Sequence, residues 1–350
     1  MRILLTYKEI AVNRLNWLFL VVFGSLVYCS STSAQEHIIK FATIAPEGTT
    51  WMNVLREYDA AIRKESKGRL GFKIYAGGVQ GEDKDVLRKI RLGQLHSAGL
   101  TGFGLGEITS KVRILDAPFL FEAYGEVDHV YSTFGDEFEK AFLDNGYVLL
   151  GWAEVGFVYV FTNSPVRTLA DMNGVKMWMW EGDQIAEATF KALGLSPIPL
   201  GVIDVLTSFQ TGLINGAYNA PLAAIGMQWH SRVKYMLNLP LADASGAVVI
   251  SKQKFDSLPR DLQEILVRNG EKYMRELTRK SRQENAAAVE TLKKFGIQIV
   301  EINSPKTVQE YWEAGKKARR SLVGKLYDEA FLDRVEKAVA DYRSKHSTSK

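Results

Sequence analysis

Strand-like and helix-like segments alternate along the first third of the chain, and this alternation constrains the fold more than any other feature. Segments 37–45, 70–75 and 97–106 are rich in apolar residues, and the last one runs into a glycine-rich loop. Segments 49–62 and 82–95 lie between them and carry apolar residues at helical spacing. Because strands that alternate with helices form mainly parallel sheets, the pattern predicts an α/β fold.

Five residues of this part of the chain are expected at one rim of the sheet, beyond the carboxyl ends of the strands, where ligands bind in such folds. They are Trp51, Asp83, Thr101, Gly102 and Phe103. In a loop, the backbone N–H groups of the last three would be free to face a ligand. Structural roles also fit: Trp51 as a staple of its helix, Asp83 at a helix N-terminus, and the glycines for close packing.

The same alternation returns in the middle of the chain and predicts a second lobe of the same kind. Strand and helix signals succeed one another at 175–180, 183–193, 197–200, 205–211 and 217–219. The chain crosses into this lobe after a strand pair between residues 146 and 163.

Two later segments are predicted to connect the lobes. Residues 246–251 form an apolar strand that returns the chain to the first lobe. A long helix then extends from the Ser257–Pro259 region to Lys294, and Gly270 is expected to interrupt it because glycine is a poor helix former.

Length and charge limit the classes of function. The 350 residues are 46% apolar, enough for two domains, and the net charge is +4 with no cluster of basic and aromatic residues. This balance argues against a nucleic-acid partner. The five histidines lack metal-ligand spacing, and the glycines at 102, 104 and 106 do not match a nucleotide-binding loop, so neither a metal nor a cofactor is predicted.

The N-terminus is typical of a cleaved signal peptide over residues 1–34. Basic residues precede a short apolar run, and Thr32-Ser-Ala34 fits the small residues of a cleavage site. Lipidation at Cys29, the single cysteine, is the less favoured alternative, because the preceding residues Leu26-Val-Tyr28 are not the small ones that normally precede a lipidated cysteine. Export therefore predicts a periplasmic protein.

Five motifs in the right order resemble the solute-binding proteins of tripartite ATP-independent periplasmic (TRAP) transporters, of the DctP type. They are F-A-T-I-A-P at 41–46, G-G-V-Q-G-E-D at 77–83, D-A-P-F-L-F at 116–121, N-G-V-K at 173–176 and T-G-L-I-N-G-A-Y-N-A-P at 211–221. The resemblance covers about residues 37 to 335, and the last two motifs are the most specific.

The resemblance implies a two-lobed periplasmic-binding-protein fold, in which each lobe is a mixed, mostly parallel sheet flanked by helices and a long helix spans the hinge. Lobe I would comprise 35–157 and 247–280, and lobe II 158–246 and 281–350. The implied partners are a small-molecule ligand and the TRAP membrane permease. The family also includes receptors that work with a periplasmic tetratricopeptide-repeat protein, which no residue of this chain identifies.

The chain departs from the family at the residues that bind the carboxylate of the ligand. The family's arginine after Gly-x-Lys corresponds to Trp178, and the arginine that often follows Gly-Phe, here Gly156-Phe157, corresponds to Val158. The family's asparagine is kept as Asn219. The chain thus resembles the subgroup that lacks the carboxylate-binding arginine.

A buried carboxylate without a cation is costly, so the ligand is expected to be apolar, neutral or amphipathic, with Asn219 holding one polar group. The second choice is a cationic head over Trp178 or Trp180, with Glu82 or Asp83 nearby. Core packing of the two tryptophans and a turn-stabilising role for Asn219 are the structural alternatives.

The sequence therefore predicts a binding receptor and not an enzyme, since no compact catalytic motif is present. Two alternatives stay open. One is an exported α/β hydrolase that uses carboxylates, because the fold alone does not fix the function. The other is an envelope carrier of lipid-like ligands that works with a partner protein in place of a permease.

Overall fold

The computed structural model describes residues 37–346. The predicted signal peptide 1–34 and Cys29 lie outside the described residues. None of the helices in the described part of the chain is both long and apolar enough to cross a membrane.

The first lobe is built on a sheet of five strands. Their order across the sheet is β2 (Leu70–Tyr75), β1 (His37–Thr43), β3 (Ser97–Thr101), β11 (Gly246–Ser251) and β4 (Tyr147–Trp152). Strands β2, β1 and β3 are parallel, whereas β11 runs antiparallel to both of its neighbours. The returning strand predicted at 246–251 is therefore the reversed strand of this sheet.

Helix α1 (Thr50–Glu65) shows how the sequence produces this lobe. Thr49 is its N-cap, and the Thr49 hydroxyl accepts a hydrogen bond from the Met52 N–H. The apolar residues at helical spacing, among them Leu55, Tyr58 and Ile62, are buried against the sheet. Helix α2 (Asp83–Arg91) connects β2 to β3, so the predicted strand–helix alternation is confirmed here.

The second lobe contains a mixed sheet that is also built around one reversed strand. Its order is β7 (Ile198–Leu200), β6 (Trp178–Trp180), β8 (Gly216–Asn219), β5 (Gly156–Thr162), β9 (Tyr235–Leu237) and β12 (Gln298–Val300), and a bridge between Met177 and Gly216 joins β6 to β8. Strand β5 runs antiparallel to β8 and β9, and also to β10 (Ala242–Ala244), whereas β9 and β12 are parallel.

The two reversed strands connect the lobes. Strand β5 enters the second sheet directly after β4 has completed the edge of the first, and β11 returns to the first sheet directly after β10. In each sheet, the antiparallel strand is thus the one that the chain forms directly after it passes from the other lobe. The prediction of an α/β, two-lobed periplasmic-binding-protein fold with mixed sheets is confirmed.

The remaining helices cover the two sheets. They are α3 (Gly102–Gly106), α4 (Tyr124–Asp144), α5 (Gln184–Ala192), α6 (Val205–Thr211), α7 (Pro221–Gly226), α8 (Lys252–Asp256), α9 (Arg260–Lys294), α10 (Pro305–Ser321) and α11 (Glu329–His346). A 3₁₀ helix, Ser110–Asp116, follows α3 and carries buried charged residues into the region between the lobes.

Helix α9 is the long helix predicted to span the hinge. It packs on α1 and β4 of the first lobe and on α7 of the second. The expected break at Gly270 is wrong, because the helix is continuous through this residue. Glycine is present there because the helix backbone lies against β4, so that a Cβ atom would overlap the carbonyl oxygen of Leu150.

Replacing Gly270 by alanine should therefore lower stability, although alanine is the better helix former. We expect a loss of roughly 1–3 kcal/mol from overpacking. Gly135→Ala in α4 is the matched control, because a Cβ there meets nothing within 4 Å, and it should gain up to about 1 kcal/mol. Urea unfolding monitored by tryptophan fluorescence measures the unfolding free energy of each variant. Equal changes for the two substitutions would contradict the packing argument.

Candidate ligand-binding site

A cavity of about 500 Å³ lies between the two lobes. Its walls are mainly apolar and come from both sheets, from the start of α1, and from α5, α7 and α9. Eight of the ten residues predicted to contact a ligand border it. They are Trp51, Thr101, Gly102, Phe103, Val158, Trp178, Trp180 and Asn219. Their contact with a ligand stays a prediction, but the structure brings them together around one cavity of a size suited to a small molecule.

Trp178 belongs to the cavity wall and to the core of the second lobe at once. Its ring stacks on Tyr218 with 4.9 Å between centroids and meets Trp229 edge-on at 5.4 Å. Its indole Nε1 donates to the Leu200 carbonyl at 3.0 Å, and the residue is 2% exposed. Core packing and a position at the cavity are therefore compatible for Trp178, because its ring packs on Tyr218 and Trp229 and the residue still borders the cavity.

Trp180 joins the two lobes across the rim of the cavity. Its indole Nε1 donates to the Glu82 carboxylate at 2.7 Å, and its ring stacks on Phe103 at 5.4 Å. Glu82 and Phe103 belong to the first lobe, whereas Trp180 ends β6 of the second. The structure therefore shows the lobes in direct contact here, as expected of a closed cleft.

Two predicted residues, Asp83 and Phe157, do not border the cavity. The Asp83 carboxylate is turned into the first lobe, where one oxygen accepts from the Thr101 N–H at 3.1 Å and the Thr101 hydroxyl at 2.6 Å. Phe157 stacks on Tyr124 of α4 at 4.5 Å. Side chains alternate along a strand, so Phe157 and its neighbour Val158 point to opposite faces, and Val158 is the one at the cavity.

The glycine-rich loop predicted after β3 is a short helix, α3, and two of its three expected free N–H groups are occupied. Thr101 is the N-cap, its N–H donates to Asp83, and the Gly102 N–H donates to the Ser245 carbonyl at 2.8 Å. The absence of a side chain at Gly102 is required, because a Cβ atom would overlap the Asp116 carboxylate. Here the glycine provides room for a neighbouring carboxylate.

Asn219 has the turn-stabilising role that was the alternative to ligand binding. Its side-chain oxygen accepts from the Ala220 N–H at 2.9 Å, just before Pro221 opens α7. Within the part of the chain that the structure describes, the one partner of its amide nitrogen is the sulfur of Met227, at 3.9 Å. Asn219 therefore keeps a hydrogen-bond donor at the cavity wall.

A cluster of buried ion pairs, which the sequence did not indicate, borders the cavity. Arg113, on the 3₁₀ helix of the first lobe, donates to Asp183 of the second lobe at 2.7 Å and lies 3.3 Å from Asp116. All three residues are buried. Burial raises the pKa of Asp116, and the charge of Arg113 opposes this effect. The guanidinium thus has two protein carboxylates as partners.

Two further acidic side chains, Asp243 and Glu284, border the cavity. Asp243 is fully buried, and burial, reinforced by the negative charge of Glu154, raises its pKa well above the ordinary value. Glu284, on α9, accepts a hydrogen bond from the Thr50 hydroxyl. Within residues 37–346, no group of three or more His, Cys, Asp or Glu side chains is placed to hold a metal ion.

Two α/β lobes that are joined by crossing strands and a long helix, and that enclose a ligand-sized cavity, define the class of hinged periplasmic binding receptors. Residues 41–323 match the family of bacterial extracellular solute-binding proteins, family 7, also called DctP, and the chain belongs to that family. This is the TRAP solute-binding family that the motifs indicated.

Relatives and solved structures agree with this assignment. The chain is 24% identical to the 2,3-diketo-L-gulonate-binding periplasmic protein YiaO of Escherichia coli and 25% identical to the C4-dicarboxylate-binding periplasmic protein DctP of Rhodobacter capsulatus, each over 79% of this chain and 85% of the relative. It is similar in fold to DctP7 of Bordetella pertussis, a receptor that binds pyroglutamic acid, with a TM-score of 0.80, 18% identity and coverage of 87% and 99%.

The environment of Asp83 leads to a pH-dependent prediction. Burial raises the pKa of Asp83 from 3.8 to about 6. The folded state therefore binds this proton more tightly than the unfolded state, and stability should fall as the pH rises from about 4 through about 6, by up to about 3 kcal/mol. Asp83→Asn should remove this part of the pH dependence.

The measurement is the difference in unfolding free energy between the native protein and Asp83→Asn from pH 4 to pH 7. Asp144→Asn, at an exposed position at the end of α4, serves as the control and should show no such slope. A difference that is constant over this pH range would mean that Asp83 titrates as an ordinary carboxyl group.

Proposed function

We propose that this receptor captures a small apolar or amphipathic ligand in the interlobe cavity and delivers it to a TRAP-type membrane permease. The observation that carries the proposal is that the only cationic side chain among the described residues at the cavity, Arg113, is already paired with protein carboxylates. Among the described residues that border the cavity, Arg113 is the only lysine or arginine, and its guanidinium already pairs with Asp116 and Asp183. A carboxylate ligand would have to compete with these two protein carboxylates.

The rest of the wall supports the same proposal. Val158 and Trp178 stand where the family resemblance places arginines, and both border the cavity. A buried carboxylate needs a paired cation, preferably a bidentate guanidinium, to offset several kcal/mol of desolvation. Apolar and aromatic walls instead favour a ligand with an apolar body. Membership in the subgroup that lacks the arginine rests on these two positions.

The named ligands of the relatives do not decide the ligand of this chain. YiaO and DctP of Rhodobacter capsulatus bind a sugar acid and C4-dicarboxylates by their names, but their identity to this chain is 24% and 25%. The family consists of solute-binding proteins, so the hydrolase alternative is not favoured. The tetratricopeptide-repeat partner and the cleaved signal peptide stay predictions.

Native mass spectrometry of the protein purified from the periplasm tests the ligand class. We expect one apolar or amphipathic molecule per chain, identified after organic extraction. Val158→Arg places a cation in the cavity wall and should abolish this occupancy, whereas Val79→Arg, at a residue that is 70% exposed, should preserve it. An organic acid bound to the native protein at one per chain would contradict the proposal.

Genetics tests the delivery step. Deleting the permease genes should abolish receptor-dependent uptake of the molecule identified in this way, to the same extent as deleting the receptor. An envelope carrier that works without a permease would retain transport in the permease deletion strain, and that result would favour the carrier alternative.

A further inference from the structure

Among residues 37–346, five residues of the cavity wall carry a buried oxygen atom without a geometrically sound hydrogen bond, and they are Asp116, Tyr218, Asp243, Ser245 and Ser281. Asp243, Ser245 and Ser281 border the cavity and are 0%, 1% and 1% exposed. Asp116 pairs with Arg113 at 3.3 Å, the Ser245 hydroxyl interacts with the Asp116 carboxylate, and Tyr218 interacts with the backbone of Trp180. Both carboxyl oxygens of Asp243 and the hydroxyl oxygen of Ser281 have no such partner among the described residues. Buried polar groups in proteins are nearly always paired, and leaving one unpaired costs about 1–3 kcal/mol. A ligand group that donates hydrogen bonds can satisfy them, because carboxyl and hydroxyl oxygens all accept.

Asp243 and Ser245 are close to each other and to the ion-pair cluster. Asp243 lies in β10 and Ser245 directly follows the end of this strand, and both residues border the cavity. The Ser245 N–H donates to Asp116 at 2.8 Å. The unpaired oxygens are thus beside a carboxylate that is itself part of the cavity wall.

The charges near Asp243 favour a cation. Glu154, Asp116 and Asp128 add negative charge around it, and Arg282 opposes them. Arg282 is already engaged, since its guanidinium pairs with Glu154 at 2.6 Å and with Asp128 at 2.7 Å. Asp243 is therefore a buried carboxyl group without an ion-pair partner of its own.

Arg113 does not provide this partner either, because it is held by Asp183 at 2.7 Å and by Asp116 at 3.3 Å. The two guanidinium groups of this region thus serve four other carboxylates. A cation in the cavity would pair with Asp243 without displacing an existing ion pair, whereas an anion would meet a region that is already negative.

We propose that the ligand is an amphipathic amine, whose protonated amino group binds Asp243 and donates to Ser245 or Ser281, while its apolar body lies against the aromatic wall. This inference rests on the proposed function and adds the charge and chemistry of the head group. The earlier sequence-based choice of Glu82 or Asp83 as the carboxylate near a cationic head is replaced, because Glu82 binds Trp180 and Asp83 binds Thr101.

Isothermal titration calorimetry with the ligand-stripped full-length mature protein tests the inference. The probes are unbranched C6 to C10 primary amines, each compared with the alcohol and the carboxylate of equal length. We expect at least one amine to bind roughly 10- to 100-fold more tightly than its alcohol, as one charge-assisted hydrogen bond predicts, and the carboxylate to bind most weakly. Asp243→Asn should reduce the amine affinity to that of the alcohol and leave the alcohol affinity unchanged.

Two further variants separate a binding role from a structural one. Ser281→Ala should weaken amine binding by a smaller factor, and Asp144→Asn, at a side chain that is 59% exposed, is the matched carboxyl control and should have no effect. If alcohols bind as tightly as amines, or if Asp243→Asn leaves amine binding intact, the amine inference is wrong and the proposed function stands. If the carboxylates bind most tightly, both are wrong. If no amine binds, the amine inference is likewise overturned.

Discussion

The ion pair between Arg113 and Asp183 is the interaction on which the arrangement of the two lobes depends. Arg113 is fixed on the first lobe, and Asp183 caps helix α5 of the second by accepting from the Ile185 N–H at 3.0 Å. A buried guanidinium is tolerated only when its charge is paired, and removing one partner of such a pair typically costs 3–5 kcal/mol. The pair therefore favours the arrangement in which the lobes enclose the cavity.

Much of the fold could be predicted because it depends on local patterns. The apolar spacing in α1 and the strand–helix alternation after it are visible in the sequence. The reversed strands β5 and β11 could be located as strands, but their direction depends on partners far along the chain. Gly270 was misjudged for a related reason. Its signal, glycine within a helical pattern, is the same for a helix break and for a close packing contact with β4.

The site could be predicted where the family resemblance or strand geometry applied. The family resemblance indicated Trp178 and Val158 as candidate site residues. It did not show that Val158 faces the cavity and that Phe157 faces the opposite side of β5. The buried charges Arg113 and Asp243 were missed because nothing in the sequence distinguishes a buried charged residue from an exposed one. Their burial is decided by residues that are distant in sequence, so only the folded chain shows it.

The same cluster is consistent with the proposed function, in which the ligand brings no carboxylate to the cleft. In a cleft that relies on arginine, the charge of the ligand pairs with the protein and helps to hold the lobes together. Here Asp183 supplies that carboxylate from within the chain, and the contact of Trp180 with Glu82 adds a second connection between the lobes. The ligand then does not have to neutralise the charge of an arginine. In the inference proposed above, the polar group of the ligand pairs with Asp243, whose carboxyl oxygens have no hydrogen-bond partner among residues 37–346.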